Sequence, residues 1–548
     1  MPGVHTYIIA QINQHAAGQA TLTRAYDYTD PETGRSSGQL GGTPDYHSTI
    51  TYHGNARLDE SASYTYKCSC EEYTSTSKYP LFSTQGNYMG YSYVTEYTSQ
   101  DKRNGKRAYQ FTNFDRFNDI NSQTAFPHEP ASPRGYQRGL PLATQTWASE
   151  DNQQAQLVQE DSLGYEQLPT SLSRTYGLKV GLRDRYAEAG NSMWPVGNWY
   201  SPEMIADMLT VSQYPLESTS YQVVAKTSTQ YAGAQRLQQR STYTYSPALF
   251  QVTRIRTHTS GGDTKVQRFL YPADYSTSSP LVTAIQQAHR LTVPLETTQL
   301  LLPASSSAAR APRLTTGVVH QYALLPQQSG TAPHFFLNRL YAANTAQADT
   351  SQHFTGGSPP AFYEEKARVT QTTAHGEPRT QVLNRYQTVA TLWDADERYT
   401  LAQCQNARAD EVFHEDFEHQ PAASIAAAYS GQYGLAGAYT VYWAPPNTRP
   451  YWLRYRYRIG GRWLVRQQVY TGPGTTLFGG DAYDDVSIYP RDAQLTTYTY
   501  EPLVGQTSVT GPDGRTTFYE YDGLGRLIRT RDEQGRILSQ QQYHYVGK

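Results

Sequence analysis

The chain of 548 residues is poor in both charged and hydrophobic side chains. Charged residues make up 17 % and hydrophobic residues 38 % of the sequence, which is low for a helical globular protein. No stretch approaches the roughly 20 apolar residues that a membrane-spanning helix needs. Basic and acidic residues nearly cancel, 46 against 48, and leave a formal net charge of −2. Because binding to a phosphate backbone needs an excess of basic residues, we do not expect nucleic acid to be a partner.

Cysteine is scarce, with Cys68, Cys70 and Cys404 the three in the chain. An odd, sparse count does not indicate a disulfide framework, and two thiols on one strand are too few ligands for a zinc site. The N-terminal stretch MPGVHTYIIAQINQ also lacks the basic region and apolar core of a signal peptide. Because that stretch starts directly with a strand pattern, we expect the chain to be a fragment of a longer protein.

Tyrosine and turn-forming residues are abundant in this sequence. The chain has 47 Tyr, 41 Gly and 31 Pro. Tyr and Thr favour pleated, half-buried surfaces, and Gly and Pro mark turns. Alternation such as Tyr64-Thr65-Tyr66 places both rings on one face of a strand. The composition therefore predicts an all-β fold made of many hairpins.

The end of the chain contains a repeat with a period of 21 residues. Tyr498 and Tyr500 recur as Tyr519 and Tyr521, and the turn Gly511-Pro512-Asp513-Gly514 recurs around Gly535. A fixed period of this length is typical of arrays in which each unit buries its face against its neighbours. An ordinary β-sandwich with repetitive hairpins is the competing interpretation.

The wording YEYDGLGRLIRTRDEQGR, within residues 498–545, resembles the tyrosine–aspartate (YD) repeat of the bacterial Rhs family. The resemblance implies stacked β-hairpins that form a curved YD-repeat-type sheet or shell. It also implies a large secreted or cell-surface protein whose shell can enclose a C-terminal toxin or present a contact surface. We therefore expect an extracellular or cell-surface location, no enzymatic activity and no catalytic residues. The expected partner is the rest of a longer repeat polypeptide.

Changes of pattern along the chain predict four parts. Residues 1–275 are rich in hairpins with degenerate repeats, one of them at 241–275. Residues 276–408 begin with a short helix, at about 279–290, and continue as strands. Residues 409–495 form a small inserted β-sandwich, and residues 496–548 carry the YD repeats. A second short helix is a candidate at 201–210, where Ser and Pro form a helix start.

Residues 409–490 resemble a galactose-binding-like jelly roll, a sandwich used by many carbohydrate-binding modules. In that fold the opening Glu and the closing Asp often share a structural calcium ion, which the resemblance carries to Glu418 and to Asp484 or Asp485. Carboxylate oxygens suit calcium. We expect no other cofactor and no other metal, because the spacing of His414 and His419 fits neither a helix stripe nor a known zinc motif.

The aromatic residues of this segment allow two interpretations. Trp443, Trp452 and Trp463, with Tyr451 and Tyr455, could form a flat platform on which pyranose rings stack. The same side chains could instead fill the core of a sandwich that is short of Leu and Ile. An alternative function is therefore a carbohydrate-binding module on a repeat stalk, with cell-surface glycans as partners. A glycoside hydrolase, which needs two carboxylates roughly 5 to 9.5 Å apart, is a further alternative.

Overall fold

The structure is a computed structural model that describes most of the chain. It describes residues 8–16, 22–41, 46–57, 63–75, 87–99, 101–102, 105–119, 132–148, 155–169, 171–182, 185–189, 209–275, 279–304, 312–325, 335–346, 348, 352–420, 423–424 and 428–546. Two compact units are present. The first comprises residues 1–10, 24–252 and 545–548, and the second comprises residues 11–23 and 253–544.

The all-β prediction is confirmed, and the strands are labelled β1 to β37 in chain order. The strands up to residue 245 are Ile8–Ala16, Leu22–Asp27, Gly38–Leu40, His47–Arg57, Ser63–Tyr73, Met89–Tyr91, Tyr93–Tyr97, Lys106–Phe111, Pro141–Ala148, Gln156–Gln167, Ser173–Leu182, Arg185–Ala189, Leu209–Ser218, Tyr221–Ala232 and Gln235–Tyr245 (β1 to β15). The strands from residue 252 onward are Val252–His258, Thr264–Leu270, Glu296–Leu302, Arg313–Leu324, Phe335–Ala343, Tyr363–Thr372, Pro378–Leu383, Gln387–Trp393, Thr400–Gln405, Phe413–Glu415, Ala423–Ser424, Gly434–Ala436, Thr440–Val441, Tyr451–Ile459, Arg462–Val469, Thr475–Thr476, Ala482–Pro490, Gln494–Glu501, Gly505–Thr510, Thr516–Tyr521, Leu527–Asp532 and Ile537–Val546 (β16 to β37).

The predicted short helix is confirmed as α1 (Pro280–Gln287). Ser279 caps it by accepting a hydrogen bond from the Val282 N–H at 3.5 Å. The helix ends before the predicted limit of residue 290, because His289 adopts a φ of 55° that cannot continue a right-handed helix. Three 3-10 turns are also present in the described ranges, at Gly135–Gln137, Pro272–Asp274 and Ala409–Glu411.

The candidate second helix at 201–210 falls mainly outside the described residues, which resume at residue 209. Residues 209 and 210 are the first two of strand β13 rather than part of a helix. The side chains of Cys68 and Cys70 also lie outside the described part of the chain. Cys404 is a free, buried cysteine.

The first unit contains one antiparallel sheet in which β2, β7, β8, β9, β10, β14 and β15 are neighbours in that order. Three smaller sheets accompany it. They are the antiparallel pairs β11–β13 and β3–β6, and the three-stranded sheet β12–β4–β5, in which β12 lies parallel to β4. Antiparallel pairing of successive strands is the pattern that stacked hairpins produce.

The second unit contains a longer antiparallel sheet in which β16 to β24 and then β33 to β37 follow one another. Strand β24 pairs directly with β33, with Ala402 opposite Thr497. Residues 413–490, here called the insert, therefore lie in the chain between β24 and β33, two strands that are direct neighbours in the sheet.

The insert has two sheets around one apolar core. Strands β26, β27, β32, β29 and β30 are neighbours in that order, β25 also pairs with β32, and β28 pairs with β31. The core contains Phe417, Leu435, Val441, Tyr451, Leu453, Tyr455, Tyr457, Tyr470, Leu477, Tyr483, Val486 and Ile488. The predicted inserted β-sandwich is thus present, while its likeness to a jelly roll stays a prediction.

A second core lies where α1 covers one face of the long sheet. It contains Val266, Tyr275, Val282, Ile285, Leu295, Leu300, Leu314, Val319, Phe335, Phe354, Phe362 and Tyr363. Glu296 is buried in this apolar setting, and its carboxylate accepts hydrogen bonds from the Tyr363 hydroxyl at 2.6 Å and the Phe354 N–H at 3.1 Å. Burial raises the pKa of Glu296, because desolvation outweighs those two bonds.

Candidate functional site

Three hairpin turns near the C-terminus share one geometry. They span residues 511–515, 522–526 and 532–536. In each, the first N–H donates to the fifth carbonyl, and the fourth N–H donates to the first carbonyl, at 2.9–3.0 Å. The fourth residue is always Gly, with φ between 72° and 78°, a conformation that glycine adopts without steric cost. The repeated Gly-Arg pair in the sequence therefore reflects a required backbone conformation.

The aspartate of the repeat closes two of these turns. One oxygen of Asp522 accepts the backbone N–H of Leu524 and of Arg526, and the other accepts the Arg526 guanidinium at 2.6 and 2.8 Å. Asp532 holds Arg536 in the same way. The side-chain hydrogen bond from Arg526 is the largest cause that lowers the pKa of Asp522. In the motif D-x-x-G-R, the aspartate at the first position thus binds both the backbone N–H and the guanidinium of the arginine at the fifth position.

The same turn geometry occurs earlier in the second unit, where the sequence does not contain the D-x-x-G-R motif. Residues 259–263 and 373–377 show both backbone bonds, again with Gly at the fourth position. Thr replaces Asp at the first position of each, and the hydroxyl of Thr373 accepts the Glu377 N–H. The predicted hairpin at 241–275 therefore has the backbone geometry of the C-terminal repeats. A pattern of Thr or Asp followed three residues later by Gly could have located these copies.

Tyrosine occupies a second recurring position, at bulges in the sheet. The strand register shifts immediately before Tyr165, Tyr322, Tyr341, Tyr500 and Tyr521. In each case the extra residue lies on the paired strand, which bends there, and the tyrosine lies opposite the bulge. The Tyr521 hydroxyl then donates to the Gln506 carbonyl at 2.9 Å, and the Tyr165 hydroxyl donates to the Pro141 carbonyl at 2.9 Å. In these two cases the tyrosine hydroxyl therefore binds the backbone of a neighbouring strand.

The insert and the repeats meet through one face of strand β29. Side chains alternate across a strand, so Tyr451, Leu453, Tyr455 and Tyr457 face the core of the insert. Arg454 and Arg456 point to the opposite face, where they are only 4 % and 5 % exposed. Burying a guanidinium is costly unless hydrogen bonds compensate it. The partners of these two arginines therefore identify the contact.

Both arginines bind the turn of the repeat at residues 511–515. Arg454 donates to the carbonyls of Gly511 and Pro512 at 3.3 and 3.4 Å. Arg456 donates to the Gly514 carbonyl at 2.5 Å and to the Thr516 hydroxyl at 2.9 Å. Since the carbonyls belong to a formed turn, these bonds require the folded repeat.

Two more groups compensate the Arg456 charge. Its guanidinium lies 4.3 Å from the centre of the Tyr429 ring, a cation–π contact. It also lies 3.5 Å from a carboxylate oxygen of Glu533, which belongs to the turn at residues 532–536. Arg456 therefore contacts the insert and two turns of the repeats. We call the contacts of Arg454 and Arg456 the arginine clamp.

Buried hydroxyl groups extend the clamp along the repeat strands. Asp485 accepts the hydroxyls of Thr497 and Thr510 at 3.3 Å each. The Thr510 and Thr516 hydroxyls lie 2.8 Å apart, and Thr516 in turn receives the bond from Arg456. These threonines are 2–3 % exposed, so the network lies inside the contact. It links the end of the insert to three consecutive repeat strands.

The three residues predicted to hold calcium accept hydrogen bonds from other groups of the protein. Asp484 accepts the N–H groups of Tyr429 and Ser430 at 2.7 and 3.0 Å. Glu418 accepts those of Gln432 and Tyr433 at 2.7 and 3.1 Å, and Asp485 binds the threonine hydroxyls named above. Within the described ranges, no group of three or more His, Cys, Asp or Glu residues is placed to hold a metal ion. The calcium site thus stays a prediction, and Asp484 and Glu418 shape the loop at residues 429–433.

Burial raises the pKa of Asp484 well above its ordinary range, and the neighbouring charge of Asp485 adds to the effect. Asp484 is fully buried. His414, beside this pair, shares a hydrogen bond with the Ser487 hydroxyl and has its Nε2 4.0 Å from an Asp485 oxygen. The sequence predicts Asp484 and Asp485 as calcium ligands but does not predict these contacts with protein groups.

The structure does not bring the five aromatic residues of the predicted sugar platform onto one surface. Tyr451 and Tyr455 are 2 % and 0 % exposed in the core of the insert. Trp443 packs beside them, with its ring 5.6 Å from that of Tyr451. Trp452 lies on the opposite face of β29, against Arg491 at 4.2 Å. Trp463 packs against Tyr429 at 5.6 Å. This placement favours core packing, and sugar binding stays a prediction.

No helix in the described part of the chain has the length and hydropathy needed to cross a membrane.

One open cavity of about 370 Å³ adjoins the clamp, between the loop of Tyr429 and the strands of Phe518 and Arg531. Its carboxylate Glu520 is bound by Arg529 at 2.9 Å and by Arg531 at 2.6 Å. Glu520 is therefore engaged in ion pairs.

Comparisons with solved structures return low similarity over most of the chain. One is the crystal structure of TcdB2-TccC3-Cdc42, with 9 % identity and a TM-score of 0.31, covering 93 % of this chain and 21 % of that one. Another is TcdB2-TccC3, with 10 % identity and a TM-score of 0.32, covering 96 % and 34 %. This chain thus spans about a fifth to a third of their length. At these TM-scores the likeness adds nothing to the fold described above.

Comparisons with sequences give a short and specific match. No curated protein matches the chain. Residues 504–537 match the family model described as RHS Repeat. The matched stretch contains all three of the C-terminal turns, from residue 511 to residue 536. The chain therefore carries an RHS repeat, as the resemblance of its C-terminal stretch predicts.

Proposed function

We propose that this chain is a non-enzymatic scaffold segment of a large secreted or cell-surface protein of the Rhs/YD-repeat kind. Its role is to build a continuous β-sheet wall, with the insert fixed to the repeats as a brace. The observation that carries the proposal is the arginine clamp, in which Arg454 and Arg456 bind the backbone carbonyls of a repeat turn. Buried charges engaged in backbone contacts stabilise a structure and are not available for chemistry.

The ion pairs around the clamp support the same role. Glu533 and Glu520 both bind arginines, and Asp485 accepts two threonine hydroxyls. A general acid or base must reach a substrate proton, whereas these carboxylates are directed at protein groups. The proposal therefore assigns them to holding strands and turns together.

We extend the proposal to the parent protein, whose β-shell would enclose or shield a further polypeptide. Repeat hairpins add strands one after another, so a wall of this kind can be lengthened until it surrounds a cargo. The rest of the longer polypeptide is the partner that this role implies.

Native proteolysis of the full natural polypeptide tests this role. The longest product that contains this sequence is purified and digested, and the fragments outside residues 1–548 are followed with time. A shielding wall predicts that a flanking segment survives in the native protein and is cleaved once mild denaturant opens the sheet. Cleavage of every flanking segment at the rate of an exposed chain would contradict the shielding role.

A further inference from the structure

Strand β30 (Arg462–Val469) forms one edge of the larger sheet of the insert. It pairs with β29 over eight residues without a register shift. On its other side no strand of the described chain pairs with it. An edge strand of this length presents a row of unpaired N–H and C=O groups, to which another strand can add.

The hairpin turn determines which backbone groups face outward. Gly460 and Gly461, with φ of 54° and 77°, form a two-residue turn between β29 and β30. Ile459 and Arg462 then form a hydrogen-bonded pair, and the Tyr470 N–H bond to the Tyr451 carbonyl at 3.0 Å fits the same alternation. The outward backbone groups therefore belong to Trp463, Val465, Gln467 and Val469.

The side chains of this edge are unusually apolar for an exposed strand. Leu464, Val465 and Val469 are 45 %, 48 % and 50 % exposed. Natural edge strands are commonly protected by lysine, proline, bulges or short length. Strand β30 has no lysine, proline or bulge. Its two valines therefore lie open beside its free backbone groups.

The charge of the edge is entirely positive. Arg462 and Arg466 lie on one face of β30, and the strand contains no acidic residue. Arg466 donates to the Phe478 carbonyl at 3.2 Å, and neither arginine forms an ion pair with a described residue. Val465 and Val469 lie on the other face. An added strand would complement both faces if its aliphatic and acidic residues alternated.

We propose that the free edge of β30 is a docking site for an extended segment of a separate polypeptide in which aliphatic and acidic residues alternate. The segment adds as a further strand, with its acidic residues opposite Arg462 and Arg466 and its aliphatic residues against Val465 and Val469. A second copy of this chain is a poorer occupant. Pairing two β30 strands antiparallel would place the arginines of both on the same face, where like charges repel.

Fluorescence anisotropy with the whole chain and a labelled nonapeptide of alternating Val and Glu tests this site. We expect saturable binding, and binding at least tenfold weaker for a Val–Lys peptide of equal length. Gln467→Pro removes one outward N–H and should weaken binding at least tenfold, since proline is tolerated where an edge N–H faces solvent. Gln467→Thr keeps the N–H and is the matched control, with unchanged affinity expected.

A second measurement leaves the protein unaltered, in case Gln467→Pro does not fold. In it, the Val–Glu peptide is N-methylated at every second residue, on the edge that would pair with β30. This peptide should lose binding, and one methylated on the opposite edge should retain it. Absence of saturable binding by the Val–Glu peptide, or equal binding of both methylated peptides, would overturn the proposal. Self-association of the chain through β30 that excludes the peptide would overturn it as well.

Discussion

At the scale of single residues, the abundance of tyrosine has a structural cause. A tyrosine placed opposite a bulge contributes its ring to the sheet surface and links two strands through its hydroxyl, as Tyr521 does through the Gln506 carbonyl. Phenylalanine could cover the sheet, and threonine could supply a hydroxyl, but neither could do both. The composition that suggested strands therefore also reflects a specific hydrogen bond.

Replacing Tyr521 with phenylalanine tests this bond. Tyr521→Phe removes the hydroxyl and retains the ring, so we expect a loss of about 1 kcal/mol in the free energy of unfolding. Urea denaturation measures the change. Tyr442→Phe is the control, because Tyr442 is 77 % exposed, and it should change stability by less than about 0.5 kcal/mol. Equal effects of the two substitutions would argue against a structural role for the hydroxyl.

The acidic pair beside the clamp predicts a dependence of stability on pH. The folded-state pKa of Asp484 is raised above its unfolded value, so its protonated form favours folding at low pH. That contribution is fully present below about pH 4, the ordinary pKa of an aspartate, and is lost as the pH rises from there through the folded-state pKa. Asp485→Asn removes the neighbouring charge, and Asn tolerates the φ of 57° at this position.

Asp485→Asn also weakens the acceptor of the Thr497 and Thr510 hydroxyls, a loss that does not depend on pH. Relative to the natural chain, the variant should therefore become more stable as the pH rises from 4 to 8. Denaturation midpoints across this range measure the effect. His414, whose Nε2 lies 4.0 Å from Asp485, also loses a neighbour in this variant. Asp485→Asn combined with His414→Gln separates the two contributions. A stability difference between variant and natural chain that is constant with pH would show that the charge of Asp485 does not act on Asp484.

At the scale of elements, the recurring unit is a hairpin whose five-residue turn has glycine at its fourth position, as at residues 522–526 and 532–536. The turn recurs with the same two backbone bonds at residues 259–263 and 373–377, where the first residue is Thr. The unit is thus defined by a backbone conformation, which several sequences satisfy. The family match reaches the C-terminal copies, at residues 504–537, and not the two copies that begin with Thr.

Two glycines of one turn provide a matched test of this conformation. Gly525 has a φ of 72°, whereas Gly523 in the same turn has no positive φ, and a methyl group added at its Cα would meet no atom within 4 Å. Gly525→Ala should destabilise the chain by about 1–2 kcal/mol, because an L-residue is strained in the left-handed region. Gly523→Ala should be neutral or slightly stabilising. Thermal melts measure the stability of both variants. Equal losses of stability would contradict the conclusion that the turn requires a positive φ at Gly525.

The sequence predicts the elements of this protein better than their contacts. Tyr and Thr content, alternation and turn residues predict the hairpins, and Ser279-Pro280 predicts the start of α1. The clamp could not be predicted, because Arg454 and Arg456 are ordinary alternating residues until the partner surface is known. The separation of two members of the aromatic platform follows from strand alternation alone, since β29 directs Tyr451 into the core and Trp452 to the opposite face.

At the scale of the whole chain, the insert and the repeats of the second unit behave as one structure. Arg456 contacts the turn at Gly514, the strand at Thr516 and a later turn at Glu533. Removing this guanidinium would leave buried acceptors without donors, which costs roughly 2–4 kcal/mol. The effect should reach both partners, because the contact lies between them.

Hydrogen exchange followed by mass spectrometry on Arg456→Met tests this coupling most directly, with Arg515→Met as control because its side chain is 83 % exposed. We predict that amides in residues 505–536 and in residues 451–490 lose protection together in Arg456→Met, and that neither region changes in Arg515→Met. Loss of protection confined to the insert, with the repeats unchanged, would contradict the claim that the two form one scaffold.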